Sequence, residues 1–131
     1  MLIRGAPNPD EGVAMIFAAD NSLSALTAFR KKMDVTANNI ANALTDEFKK
    51  SRVTMAENNT GGVEAVVDRV TTHGFPKESI QDGEQVTVES SNVDLSEELP
   101  EMVITKTAYR SNLKTLKAQD DMMGTLLDIF S

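Results

Sequence analysis

The sequence predicts a mainly α-helical protein with a small β element, in which the N- and C-terminal helices pair as an antiparallel coiled coil around a short β-rich middle. Three observations predict this fold class. Apolar residues recur every seven positions near both ends of the 131-residue chain, a repeat typical of helices that lie along other helices. β-Branched residues and turn-forming glycines concentrate between the ends. The middle is acidic, whereas both flanking regions are slightly basic.

The first predicted element is a helix from about residue 22 to 44, within a terminal-helix domain made of residues 20–44 and 95–131. Residues 1–19 are expected to form an N-terminal arm, because proline and glycine interrupt its first part. Asp20, Asn21 or Ser22 can act as the N-cap of the helix. Its apolar residues form two seven-spaced registers, the second of which is broken by Arg30: Leu26, Met33 and Ile40, and Leu23, Ala37 and Leu44.

The middle, residues 45–94, is expected to be a small β-rich segment. Residues 63–72 are rich in Val and Thr and predict a strand, and residues 85–89 predict a second one. Residues 48–55 can supply a third strand, with the turn-forming run Asn58–Gly62 after it.

The last predicted element is a long helix that ends the chain. Asp94 or Ser96 can cap it, and Pro100 leaves two alternatives: the regular helix begins at about Glu98, or it bends at Pro100. Its apolar residues again form two seven-spaced registers, the second of which Lys106 and Asp120 interrupt: Leu95, Met102, Tyr109, Leu116, Met123 and Phe130, and Leu99, Leu113 and Leu127.

Charge is unevenly distributed along the chain, whose formal net charge is −7. Residues 57–101 contain eleven acids and two bases, while residues 27–56 carry +3 and residues 102–131 carry +1. An acidic middle argues against nucleic acid as the main partner. The opposite charges of the middle and the ends favour association between neighbouring molecules.

Composition also excludes most catalytic chemistry. The chain has no Cys and one His, so thiolate metal sites and sites with two imidazoles cannot form. His73 has no accompanying nucleophile motif, and the carboxylates Glu97, Glu98 and Glu101 suit helix capping better than calcium binding. We therefore expect no enzymatic activity, no cofactor, no metal and no small-molecule substrate. No stretch of the sequence reaches the roughly 18 consecutive apolar residues that a membrane-spanning helix needs. Residues 1–14 also lack the apolar run of a secretory signal, so a cleaved signal peptide is not expected.

Two separate motifs stand out near the two ends of the chain. The first is carried by residues 21–28 (NSLSALTA) and 33–42 (MDVTANNIAN). The second is carried by residues 89–95 (ESSNVDL) and 107–113 (TAYRSNL). Both resemble motifs of the bacterial flagellar basal-body rod and hook family, most closely its short proximal members of the rod protein C type. Together the motifs and their flanks cover about half of the chain, in the order and at the ends that the family requires.

The resemblance implies a structural subunit of the flagellar rod that polymerises with itself and other rod subunits. Such a subunit forms part of a helical tube in the periplasm and transmits motor torque. The resemblance also implies synthesis in the cytoplasm and export through the flagellar type III apparatus with an uncleaved N-terminal segment. The alternative from a different class is a soluble helical adaptor or secreted effector that binds a partner protein through its terminal helices.

Candidate functional residues are those expected at helix interfaces. Three Asn close together in a helix are unfavourable, by roughly 0.5–0.7 kcal/mol each against Ala, and predict side-chain bonds to neighbouring backbone. Ala37 and Ala41 would let another helix approach closely, whereas Asn92 and Asp94 are interpreted as turn and cap residues. The predicted interface residues are Leu23, Leu26, Met33, Ala37, Asn38, Asn39, Ile40, Ala41, Asn42, Leu44, Leu99, Met102, Tyr109, Leu113, Leu116, Met123 and Leu127.

Overall fold

A computed structural model describes residues 9–59 and 61–130 and contains two long helices with two β-hairpins between them. Its elements are, in chain order, α1 (Pro9–Ala41), β1 (Ser51–Glu57), β2 (Val63–Arg69), β3 (Pro76–Gln81), β4 (Glu84–Glu89) and α2 (Leu95–Phe130). The prediction of a mainly helical chain with terminal helices and a small β middle is confirmed.

Helix α1 is longer at its N-terminus than the sequence predicted. It begins at Pro9, so the expected start near residue 22 is wrong, and residues 9–19, expected in an arm, are helical. The helix ends at Ala41, so the expected end near residue 44 is also wrong, and Leu44 lies in the turn that follows α1. Proline suits the first turn of a helix, where its missing N–H costs nothing. Ser22 is not a cap, since its hydroxyl donates to the Ala18 carbonyl one turn earlier at 3.0 Å. The part of the arm before Pro9 lies outside the described residues.

Helix α2 begins at Leu95, with Asp94 as its N-cap as predicted. The Ser96 hydroxyl and N–H donate to the Asp94 carboxylate at 2.6 and 2.8 Å, and these bonds lower the pKa of Asp94 below its usual value. Pro100 lies inside the helix, so the alternative of a start at Glu98 is wrong. At this position a proline removes the backbone bond to the Ser96 carbonyl, and its ring crowds the same carbonyl.

The middle forms two separate antiparallel hairpins instead of a single sheet. Strands β1, β2 and β4 confirm the three predicted strands, with shifts of a few residues at their ends. Strand β3 was not predicted. Asp82 and Gly83 form the two-residue turn between β3 and β4 with φ of 52° and 85°, which is the left-handed conformation that such turns require. The Asp-Gly dipeptide was therefore a sequence signal for this hairpin.

The two helices pack against each other in antiparallel orientation. Lys32 forms an ion pair with Glu101, and Ala19 lies beside Leu116 much further along α2. The buried surface between the elements is small and largely polar. Its fully or nearly buried members are Ser22, Leu26, Ala28, Thr36, Asn39, Ser91, Glu98 and Thr105.

The hairpins attach to the helices in different ways. The β1–β2 hairpin packs along α1, with the Val63 N–H donating to Ser24 Oγ at 3.1 Å near the hairpin's turn. The β3–β4 hairpin contacts no other helix or strand of the described elements. It is held only at its base, where Lys77 pairs with Asp46 at 2.6 Å and the Glu47 N–H donates to the Glu89 carbonyl at 2.8 Å.

Residues Gly12–Ala41 of α1 are long and apolar enough to cross a bilayer by length and composition. The side of this segment that packs on the rest of the protein is polar at Thr36 and Asn39, which are almost fully buried. A helix that packs within a soluble protein passes the same test of length and composition, so this single segment is weak evidence for a membrane span.

Candidate assembly surface

The seven-spaced registers of the two helices separate into an inner and an outer set. We call the half-buried or buried registers the inner registers: Leu26, Met33 and Ile40 of α1, and Met102, Tyr109 and Leu116 of α2. We call the exposed registers the outer registers: Leu23, Ala37 and Leu44, and Leu99, Leu113 and Leu127. Arg30, Lys106 and Asp120, the charged interruptions seen in the sequence, all fall in the outer registers and are exposed.

The outer registers leave large apolar side chains in water. Leu44 is 91% exposed, Leu127 71%, Leu23 57% and Leu99 51%. Met123 belongs to the same register as Leu116 but is exposed, as is every residue from 120 to 129. Apolar surface repeated along a helix in this way is typical of a surface that another chain covers.

Asn39 connects α1, α2 and β1 and is 1% exposed. Its amide donates to the Ser51 carbonyl at 2.8 Å and to Glu98 Oε2 at 3.1 Å, and its Oδ1 accepts from the Ser51 N–H at 3.0 Å. Asn39 thus pairs with the start of β1 as a neighbouring strand would. Lys50 supports Glu98, with its ammonium 3.8 Å from Glu98 Oε1. The predicted bonding of an Asn to neighbouring backbone is confirmed for this residue.

The other predicted residues near Asn39 lie differently. The Asn42 amide donates to the Asn38 carbonyl of its own helix at 2.9 Å, and the side chain of Asn38 is exposed. Ala37 and Ala41 are exposed and contribute to the outer surface of α1. Whether a neighbouring helix packs on them stays a prediction.

Asn92 forms a second connection that the sequence did not reveal. Its Oδ1 accepts from the Lys50 N–H at 2.7 Å, and its amide donates to the carbonyls of Val70 and Thr72 at 3.0 and 2.9 Å. The side chain therefore joins the segment before α2 to the open end of the β1–β2 hairpin, beside the start of β1 and the end of β2. These distant partners show that the interpretation of Asn92 as a turn residue is wrong. In the sequence alone, a short polar run before a helix has the same appearance as a turn.

Glu89 holds the base of the β3–β4 hairpin. Its carboxylate accepts from the Lys49 ammonium and the Gly74 N–H, and His73 Nδ1 lies 3.3 Å from it. The bond from Lys49, together with those from Gly74 and His73, lowers the pKa of Glu89 to about 2 against the opposing effect of desolvation. Gly74 is required here, since a Cβ at this position would collide with the Ser90 carbonyl.

Acid should loosen this hairpin through Glu89. The folded pKa of about 2 lies below the usual 4.5, so the stabilisation is complete above pH 4.5 and is lost as the pH falls toward 2. In Glu89→Gln the melting temperature should fall less between pH 5 and 2.5 than in the unchanged chain. Glu84→Gln, an exposed change at the far end of the same hairpin, should keep the unchanged dependence. Equal pH dependence in all three chains would contradict this assignment.

Comparison with known proteins places the two helices in one family. The family model described as flagella basal body rod protein matches residues 20–49, and that described as flagellar basal body rod FlgEFG protein C-terminal matches residues 84–129. The chain belongs to the flagellar basal-body rod and hook family. Flagellar hook protein FlgE of Escherichia coli K12 and that of Salmonella typhimurium LT2 are each 45% identical to it over 42 residues.

The similarity to these hook proteins is local. The aligned region is 32% of this chain and 10% of each hook protein, so the chain spans about a tenth of their length. The two segments matched by the rod and hook family models meet in the structure, since Asn39 of the first bonds Glu98 of the second. Residues 50–83, including β1, β2 and β3, lie outside both matched segments.

Proposed function

We propose that this chain is a structural subunit of the flagellar rod, which polymerises with itself and other rod subunits into a helical tube in the periplasm and transmits torque. The observation that carries this proposal is the pair of exposed outer registers along both helices. Each helix keeps one apolar register for its partner in the same chain and leaves the other uncovered. A subunit of a continuous polymer needs such an uncovered apolar register, because it contacts its neighbours along its length.

The exposed area of the chain supports the same function. The accessible surface is 9982 Å² for a mass of 14.2 kDa. A compact monomer of that mass exposes about 6,800 Å². The difference of about 3,000 Å² is of the size that large permanent interfaces bury. The isolated chain thus has more surface than a stable monomer needs, as expected of a subunit whose neighbours complete it.

Within the proposed polymer the parts have separate roles. Residues 20–44 and 95–131 form the shaft, paired as an antiparallel coiled coil that lines the tube, and the helical residues 9–19 extend α1 beyond the predicted shaft. Residues 45–94 form an outer β-rich element that touches neighbours. Head-to-tail contacts whose rotation does not close a ring produce an open helical polymer, which is the arrangement proposed here. The proposed role is mechanical. Membership of a family of structural proteins supports the expectation that the chain has no catalytic activity.

The route to the rod is part of the proposal. Members of the family are components of the flagellar basal body. A rod subunit must cross the inner membrane to reach the rod in the periplasm. We expect export by the flagellar type III apparatus with the N-terminal segment retained.

The state of the isolated chain tests this function. Residues 12–14, 16 and 17 and residues 120–129 are exposed, so these helix ends have little tertiary packing to stabilise them in the monomer. Circular dichroism of the dilute chain should show clearly fewer helical residues than the 33 and 36 of α1 and α2. Helix content should rise as the chain assembles at high concentration, and electron microscopy should show helical polymers.

A fully helical, protease-resistant monomer, or a single low oligomer at every concentration, would contradict the rod function. The defined oligomer would instead favour the soluble adaptor or secreted effector, which binds a partner through the same helices but does not polymerise.

A further inference from the structure

One side of α2 carries a row of exposed bases. Residues 102–119 contain four bases and no acid. At about 100° per residue these bases fall within about 80° of the helix circumference, over about 16 Å of its length. None of them has an ion pair in residues 9–59 and 61–130, and all four are exposed. We call this the basic stripe: Lys106, Arg110, Lys114 and Lys117.

The basic stripe borders an apolar groove. Leu113 lies beside Arg110 and Lys117 on the helix surface and is 48% exposed. The groove holds about 680 Å³ and is lined by the apolar side chains of Leu113, Leu116 and Met123 together with two bases, Lys114 and Lys117, and one acid, Asp120. This surface therefore suits a partner that presents an apolar side chain between acids.

The β3–β4 hairpin presents that arrangement. Residues 78–89 contain four acids and no base. Glu78 and Ile80 point to the same side of β3, about 7 Å apart, and Asp82 follows in the turn. Ile80 is 74% exposed, and neither Glu78 nor Asp82 has an ion pair within the described residues. We call this surface the acidic face: Glu78, Ile80 and Asp82.

The two surfaces do not meet within one molecule. The hairpin makes no contact with α2 among the described elements, and its base is fixed to the segment after α1, where Glu89 pairs with Lys49 and Lys77 pairs with Asp46. The basic stripe begins at Lys106, about 16 Å further along α2 from Leu95. The acidic face is therefore free to contact another subunit.

We infer that the acidic face of one subunit docks on the basic stripe of a second copy, with Ile80 in the groove beside Leu113. The inference rests on the proposed polymerisation and specifies one of its contacts. The spacings agree, since the acids of the hairpin from Glu78 to Asp82 span about 13 Å and the bases about 16 Å. Because the two surfaces differ, each subunit can give its hairpin to one neighbour and receive that of another, which is the heterologous type of contact from which open helical polymers are built.

Disulfide cross-linking between two variants tests this contact directly, because the chain has no cysteine of its own. Ile80→Cys and Leu113→Cys chains are mixed under assembly conditions and oxidised. A disulfide requires Cα atoms within about 7 Å, so the docked subunits should give a product of twice the 14.2 kDa mass. Thr115→Cys is the matched control, as it is exposed two residues away and about 160° round the helix from Leu113. Its mixture with Ile80→Cys should give at least about fivefold less product.

Charge reversal tests the electrostatic part. Glu78→Lys on the Ile80→Cys chain should lower the cross-linked yield at least about fivefold, and Arg110→Glu on the Leu113→Cys chain should restore it. Raising the ionic strength from about 0.05 to 0.5 M should also lower the yield of the unreversed pair. Polymers that form without the Ile80–Leu113 product, or with equal yields for Leu113 and Thr115, would overturn this contact and leave the rod function standing. Absence of both polymer and product would overturn both.

Discussion

Replacing Leu113 by Asp is expected to abolish assembly and motility while leaving the dilute chain folded as before. Leu113 is 48% exposed in the single chain, so the change should lower the free energy of unfolding by only about 1–2 kcal/mol, through the half-buried side chain that is lost and the poorer helix propensity of Asp. In the polymer the new carboxylate would be buried in the groove and would face the acids of the next subunit. A cost of at least about 3 kcal/mol would weaken assembly more than a hundredfold.

Motility in soft agar and electron microscopy of basal bodies measure the result, with circular dichroism as the check on folding. Thr115→Asp is the matched control on the same turn of α2 and should leave motility unchanged. Ile40→Asp should also abolish assembly, but through loss of the helix pair, because Ile40 is half-buried in the inner register. Normal flagella in the Leu113→Asp strain would remove the outer register from the assembly surface.

Asn39→Ala is expected to destabilise the folded chain by about 2–4 kcal/mol. The substitution removes three hydrogen bonds at once and leaves the Ser51 N–H and carbonyl and the Glu98 carboxylate without their partner. Glu98 is also nearly buried, at 9% exposed, so water cannot readily replace the lost donor. Urea unfolding followed by circular dichroism measures the effect as a lower transition midpoint.

The adjacent Asn38 provides a control of the same residue type in the same helix. Its side chain is exposed, and Ala is the better helix former by roughly 0.5–0.7 kcal/mol, so Asn38→Ala should be neutral or slightly stabilising. If Asn39→Ala and Asn38→Ala unfold at the same urea concentration, Asn39 does not join the helices to β1 in solution.

Local patterns predicted most of the secondary structure. The β-branched run near residue 66 became β2, and Asp94 capped α2 as its position before the acids suggested. The start of α1 was missed because a proline near a chain end signals an interruption as readily as a first helical turn. Strand β3 was missed because its sequence, Pro76–Gln81, is polar and exposed and lacks the alternation of a half-buried strand.

The candidate site was only partly predictable. The three Asn of the first motif stood out because Asn is costly in a helix, but nothing local separated Asn39, which is buried, from exposed Asn38. That separation depends on where β1 lies beside α1. Asn92 was misassigned for the same reason, because its partners, Lys50 among them, are distant in the sequence.

The sequence by itself determined that both ends of the chain are helices with two apolar registers each, since a seven-residue repeat is a property of the chain alone. It also determined the family, because both motifs are contiguous. Only the tertiary structure decided which register faces the partner helix and which faces water. Either apolar face of an isolated helix can become the buried one, and the elements that pack against the helix decide which face is buried. Here α2 and the β1–β2 hairpin cover one side of α1 and leave Leu23 and Ala37 exposed, with Leu44 exposed just beyond the end of the helix.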